Sequence, residues 1–329
     1  MPQTFAAADA VELAVVDRSG FIESRHAGIA IVLSADGAIA EKLGDPSSLI
    51  LPRSSLKPLQ ALACLSAGAP LEGERLGLAT ASHSGTDRHV AVVREILAAA
   101  ELSEDALGCP AAWPGDTATR DDLVRELGQP QRVRMNCSGK HAAMLLTSVV
   151  NGWDPAGYLS PEHPVQQLIR DTVERLTGEK AAAVAVDGCG APVYAMTLFG
   201  LARAIHRIGT SSTTSPFALH RSAGALVEAV RAAPWTIDGP ARPDTIVIER
   251  LGVFAKGGAE GVMVMVAPDG TTVALKMLDG SGRAATAVAL RLLERHGALA
   301  AADVAGTMSR LALTVTGGGQ DVGAIRPAF

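Results

Sequence analysis

The chain has 329 residues, 48% of them hydrophobic, with a mean hydropathy of +0.23, enough apolar mass for a large core in one domain or two subdomains. A formal charge of -5, a pI near 5.9 and only 3% aromatic residues, with no Lys/Arg cluster, exclude the electrostatic footprint of a nucleic-acid binder. No apolar run reaches the roughly 18 residues of a membrane-spanning helix, and the opening "MPQTFAAADA" has no basic segment followed by an apolar one, so a cytoplasmic location is expected.

The N-terminal segments "VELAVVDRSG" and "FIESRHAGIAIVLSADGAIA" are β-rich runs broken by Ser-Gly and Asp-Gly, which predicts a strand meander. From Ser54 to about Thr177 the period becomes helical, in "KPLQALACLSAG", "DRHVAVVREILAAAEL", "GKHAAMLLTSVV" and "HPVQQLIRDTVERLTG". A short apolar run, "AAAVAVDGCG", then precedes two predicted helices, "YAMTLFGLARAIHRIG" and "SPFALHRSAGALVEAVRAAP". Residues Thr245 to Asp279 read as strands joined by Gly turns, and "GRAATAVALRLLERHG" as a closing helix. Strands at both ends of the chain around a helical middle predict an α+β fold: a mainly antiparallel sheet built from both termini and flanked by helices as an αβα sandwich. The sheet subdomain is expected over about 1–50 and 180–329, and a helical subdomain over about 51–179, within one catalytic unit.

Four cysteines, Cys64, Cys109, Cys137 and Cys189, are too sparse for a disulfide framework and read as thiols. In "LPRSSLKPLQ", Pro58 lacks a backbone N–H and fits a helix only in its first turn, which sets Ser54 to Lys57 at the helix start. Positions i and i+3 share a face, so Lys57 is expected to partner Ser54 rather than Ser55. A desolvated lysine beside a serine at a helix N-terminus is a general base next to a nucleophile; an N-cap serine followed by a surface lysine gives the same string. In "ASHSGTDRH", capping accounts for Ser84 or Thr86 but not for Ser82 and His83. In "FAKGGAEG", Lys256 follows an apolar strand and precedes two glycines that would let a ligand approach the backbone. Ser-x-x-Lys, a Ser-containing loop and Lys-x-Gly therefore occur in the chain order of S-x-x-K acyl-transfer enzymes. Cys137 and Lys140 share a face at another helix start, and Cys189 sits between glycines after a strand. Two thiolates and a neutral amine suit Zn²⁺ with water in the fourth position, although two distant cysteines are also common as buried small hydrophobes.

Taken together, "RSSLKP", "ASHSGTDRH", "NCSGKHAAML", "DGCG" and "KGGAEGV", in this order, resemble the rhizobial-type, thermolabile L-asparaginases (asparaginase II, class 3). The resemblance implies a fold like that of serine β-lactamases and glutaminases, a homodimer, and hydrolysis of L-asparagine to L-aspartate and ammonia. It also implies two Ser-Lys pairs, Ser54 with Lys57 and Ser82 with Lys256, and a zinc site of Cys137, Lys140 and Cys189 that orders the pocket. Arg53, Asp187 and His83 fall where family members contact or frame the substrate. The glycine directly after Lys256 departs from the family pattern and bears on pocket shape. A glutaminase or another S-x-x-K hydrolase is the alternative within the class; a non-catalytic amino-acid or zinc sensor is the alternative outside it.

Overall fold

The computed structural model describes residues 2–329. Strand β1 (Val11–Arg18) turns at Ser19-Gly20 into the long β2 (Phe21–Leu33), followed by β3 (Ile39–Leu43) and the two-residue β4 (Leu49–Ile50). A 3-10 turn, Arg53–Leu56, runs directly into α1 (Lys57–Ser66). Then come α2 (Gly73–Ala79), α3 (Asp87–Ala99), α4 (Thr117–Arg125), α5 (Ser138–Val150) and α6 (Pro164–Thr177). The hairpin β5 (Ala183–Val186) and β6 (Pro192–Thr197) leads to α7 (Leu198–Gly209), α8 (Ala218–Ala232) and α9 (Pro243–Leu251). Strands β7 (Phe254–Gly258), β8 (Val262–Val266) and β9 (Thr272–Met277) return to the sheet. Helices α10 (Ala285–Arg295) and α11 (Ala301–Met308) and the hairpin β10 (Thr314–Gly317) and β11 (Gln320–Pro327) close the chain.

The large sheet has the order β10-β11-β1-β2-β9-β8-β7, with β3 also paired to β2, and its pairings are antiparallel. β2 is its keystone, since one 13-residue strand pairs β1, β9 and, over its second half, β3. Every residue of β8 and β9 is buried, which requires cover on both faces. Helix α7 covers β2, β8 and β9, while α10, backed by α11, covers β8 and β9 from the other face. The expected αβα sandwich is therefore present, with the layer α1–α6 continuous in sequence. A separate three-stranded sheet, β4-β6-β5, lies at the base of this layer; the β4–β6 pairing joins the chain just before Ser54 to the hairpin that carries Cys189. Among the described residues, no helix is long and apolar enough to cross a membrane.

Two segments differ from the sequence reading. "TIVIE" is a β-branched run, yet it is part of α9, because Pro243 opens the helix at its first turn and Gly252, at φ 63°, closes it; those stops outweigh a β preference that depends mainly on context. "YAM" belongs to β6 and the helix starts only at Leu198, where the Thr197 hydroxyl accepts the Gly200 N–H at 2.8 Å.

The loop before α3 is held by neutral histidines. His89 Nε2 faces Trp235 O at 3.1 Å, its Nδ1 lies 2.6 Å from Thr86 Oγ1, and its ring stacks on His83 with centroids 5.0 Å apart. Burial pushes His89 down to about 4 and His83 well below its usual range. The unfolded chain therefore binds a proton near pH 6.5 that the fold refuses until about pH 4, so stability is retained above pH 6.5 and lost as pH falls toward 4. Urea unfolding should show a loss on the order of 3 kcal/mol from His89 over that window. His89→Gln should flatten the slope; an unchanged slope in that variant would show that His89 does not carry it.

Candidate active site

The centre forms where the end of β4, the start of α1, the loop before α3, the start of α5 and the β5–β6 turn converge. The ammonium of Lys57 lies at its middle. Lys57 is buried, and its Nζ donates to Ala81 O at 2.5 Å, Ser82 Oγ at 2.9 Å and Asn136 O at 3.5 Å. Three donors thus meet three acceptors, and the hydroxyl partner is Ser82. The sequence reading gave Lys57 to Ser54 and Ser82 to Lys256. Ser54 and Lys57 do share one turn, through the Lys57 N–H bonded to Ser54 O, but the long side chain of Lys57 reaches past Ser54 to the neighbouring loop. Ser55 is turned away, fully buried with its hydroxyl on Pro52 O at 2.7 Å.

Among the described residues no carboxylate lies within ion-pair distance of Lys57. Burial lowers its pKa to about 8; Cys137 works against this, and the charges on Lys140 and Lys256 add to it. Lys256 occupies the neighbouring strand β7, where its Nζ donates to Gly257 O at 2.8 Å and lies 3.5 Å from Asp244 Oδ2.

The glycines after Lys256 have a different use from the one expected. A Cβ on Gly258 would lie 2.7 Å from Pro52 O and 3.2 Å from Ser55 N, so this residue lets β7 press against the backbone of the Ser54 turn and leaves no gap there for a ligand. Arg53, just before Ser54, has φ 51°, a left-handed conformation that a non-glycine residue holds only at a cost. Its Nε donates to Asp187 Oδ1 at 2.7 Å. A groove of about 580 Å³ opens beside Arg53, lined also by Glu260, Lys276, Leu49 and Leu278.

Asp187 and Cys189 share the β5–β6 turn, closed by Gly190 at φ 89°. A donor oxygen of Asp187 and the sulfurs of Cys137 and Cys189 all lie within 4.8 Å of one another. Lys140 Nζ is 3.1 Å from Cys189 Sγ, and Cys189 Sγ donates to Asp187 Oδ2 at 3.4 Å. The structure thus brings Cys137, Lys140 and Cys189 together, as the sequence suggested, and adds Asp187. The hydrogen bond from Cys189 lowers Cys137 well below the usual thiol range and raises Cys189. Burial disfavours charge on Lys140, but the two sulfurs outweigh it and raise its pKa. Burial likewise works against ionised Asp187, but the Arg53 hydrogen bond, the charges of Lys140 and Arg53 and the bond from Cys189 together outweigh it and lower its pKa. Two soft sulfurs, one amine and one carboxylate at this spacing fit the donor set of a zinc ion, provided Lys140 releases its proton on binding.

His83 lies inside the loop before α3. It is buried, its Nδ1 accepts the Gly85 N–H at 3.1 Å, and its Nε2 lies 2.9 Å from the hydroxyl of Ser138, which itself donates to Val133 O. Sequence reading missed Asn136, whose carbonyl meets Lys57 and whose Oδ1 accepts from Cys137 Sγ at 3.2 Å; its place directly before Cys137 was the available signal. Asp244 was also missed: it stands just before the stretch from Thr245 that reads as strands, and nothing in that context marks it.

The family model for L-asparaginase II matches residues 14–327. The chain belongs to the L-asparaginase II family. No curated protein matches it by sequence. Among solved structures, the crystal structure of Mglu in its native form is 12% identical with a TM-score of 0.46, covering 82% of this chain and 64% of that one. A Bacillus glutaminase in 4.3 M NaCl is 12% identical with a TM-score of 0.44, covering 82% and 91%. A β-lactamase from Mycobacterium bovis is 13% identical with a TM-score of 0.42, covering 82% and 94%. This family member spans just under two thirds of the length of Mglu.

The contact of β7 with the Ser54 turn makes a stability prediction. Gly258→Ala should cost about 1–3 kcal/mol, because a backbone carbonyl rather than a flexible side chain stands in the way of the new methyl group. Chemical denaturation checks it. A variant as stable as the wild type would mean that β7 can back away from the turn freely.

Proposed function

We propose that the protein is an L-asparaginase, an amidohydrolase that converts the side-chain amide of L-asparagine to L-aspartate and ammonia through a serine ester. The observation that carries this reading is Lys57: a buried lysine, lowered to about 8, with its Nζ 2.9 Å from Ser82 Oγ and one turn from Ser54, in a chain of the L-asparaginase II family.

In this reading Ser54 Oγ attacks the amide carbon while its proton passes through the Ser82 hydroxyl to neutral Lys57. The proton returns to the departing nitrogen, ammonia leaves, and a water molecule, deprotonated by the same route, cleaves the Ser54 ester to release aspartate. Arg53 has guanidinium nitrogens beyond the Nε held by Asp187 for the α-carboxylate, and Asp187 offers the opposite charge to the α-ammonium. Lys256 supplies positive charge beside the Ser82–Lys57 pair. Cys137, Cys189 and Lys140 would hold zinc, with Asp187 beside them; when bound, the ion supplies a fixed positive charge that orders the Asp187 turn.

Purified protein should release ammonia from L-asparagine much faster than from L-glutamine, and Ser54→Ala, Ser82→Ala and Lys57→Ala should each lower kcat by at least ~100-fold. A glutamine preference would replace the substrate in this reading, and a fully active Ser54→Ala would move the nucleophile to Ser82. Binding of aspartate in calorimetry without any ammonia release would make the protein a sensor.

For the metal, protein prepared without chelator should contain up to one zinc per chain. Cys137→Ser and Cys189→Ser should both lose it, and affinity should rise with pH because Lys140 must give up its proton. Elemental analysis decides: equal zinc in the wild type and both variants would sink the site.

A further inference from the structure

Lys57 and Lys256 are both buried at this centre, yet their surroundings differ in kind. Lys57 is held by a hydroxyl and two carbonyls. Lys256 has a carboxylate of its own, Asp244 Oδ2 at 3.5 Å, and that same oxygen accepts the Gly257 N–H at 2.7 Å. Asp244 is 4% exposed and lies in the first turn of α9, so one buried side chain joins that helix both to the backbone of β7 and to the head of Lys256. A buried carboxylate is costly unless it is paired and hydrogen-bonded, and Asp244 has both kinds of partner.

The other charged groups around Lys256 are Asp238, Arg242 and Lys57. Asp238 stands behind Asp244 with Oδ1 3.3 Å from Arg242 Nε. Burial, and then the charge of Asp244, raise the pKa of Asp238, which leaves Asp244 as the acid in contact with the lysine. Lys57 is near enough that the charge of Lys256 adds to the lowering of its pKa. Asp244 therefore offsets a lysine that would otherwise stand unpaired against a second one, and it fixes the direction in which that lysine points.

We propose that Asp244 is a positioning residue of the reaction: it anchors Lys256 on β7 as a fixed cation, so that Lys256 acts on the centre through its charge and Lys57 is the lysine that exchanges protons with serine. This separates the roles of two lysines that sequence order treats as equivalent halves of two Ser-Lys pairs. It rests on the amidohydrolase reading above.

The test is ammonia release from L-asparagine by the wild type, Asp244→Asn and Asp244→Glu, with a melting temperature measured for each. The amide oxygen of Asp244→Asn still accepts the Gly257 N–H, so the variant removes the charge while keeping the strand contact. We expect kcat to fall by about 10-fold or more, with KM within about threefold of wild type and little change in Tm. Asp244→Glu, which restores the charge, should recover part of the loss. Full kcat in Asp244→Asn overturns the inference, and so does a loss that tracks a drop in Tm and is not recovered by glutamate. A wild type that releases no ammonia removes the amidohydrolase reading and this inference together; an active wild type with an indifferent Asp244→Asn removes this inference alone.

Discussion

A buried ammonium group organises this molecule. Desolvating the head of Lys57 costs several kcal/mol unless its three N–H groups are satisfied. The acceptors come from Ala81, Ser82 and Asn136, two segments separated by more than fifty residues of chain. The 3-10 turn, the loop before α3 and the loop before α5 are thus committed to one meeting point as soon as α1 buries its apolar face. No carboxylate joins them, and burial without a counter-ion lowers the lysine toward neutral pH. The arrangement that knits the helical layer together is also the one that gives Lys57 a usable neutral fraction.

Three other cations of the centre have charged neighbours. Lys140 sits against Cys189 with Cys137 close by, Lys256 against Asp244, and Arg53 against Asp187. Asp187 carries two duties, since it holds Arg53 on one side and accepts from Cys189 on the other. Through it the conformation of the residue before Ser54 is tied to the thiol cluster. Any ion held by the sulfurs would therefore act on the substrate end of the centre through a carboxylate and a guanidinium.

Much of this was legible from local pattern. Helical spacing put Ser54 and Lys57 in one turn, Pro58 fixed where α1 begins, and the glycines around Cys189 marked a strand end. The grouping of Cys137, Lys140 and Cys189 came from the family resemblance, not from their spacing. What local pattern could not give is the reach of a lysine. A side chain with four methylenes selects its partner from whatever the tertiary fold brings near, and here that is Ser82 rather than the hydroxyl three residues back. The same limit hid Asp244, because nothing in its own sequence context says that a strand carrying Lys256 will lie against it. The strand expected at "TIVIE" became helix for the opposite reason: Pro243 and Gly252 are strong local stops, and they were given less weight than β-branching.

Arg53 shows how these constraints combine. A left-handed arginine costs of order 1–3 kcal/mol relative to relaxed backbone, and such a residue persists only where its surroundings over-determine it. Here they do so from two sides. The hydrogen bond from Nε to Asp187 holds the side chain, and Gly258 of β7 packs against the carbonyl of Pro52 and the N–H of Ser55, leaving the turn little room to relax. The strain is confined to the residue before Ser54. Its effect is to let the chain leave β4, reverse, and begin a helix within six residues, presenting Ser54 at the helix start while Lys57 reaches behind it to Ser82. The φ of Arg53 sets the direction in which the chain enters the turn, so its cost is the local cost of seating that turn between β7 and Asp187.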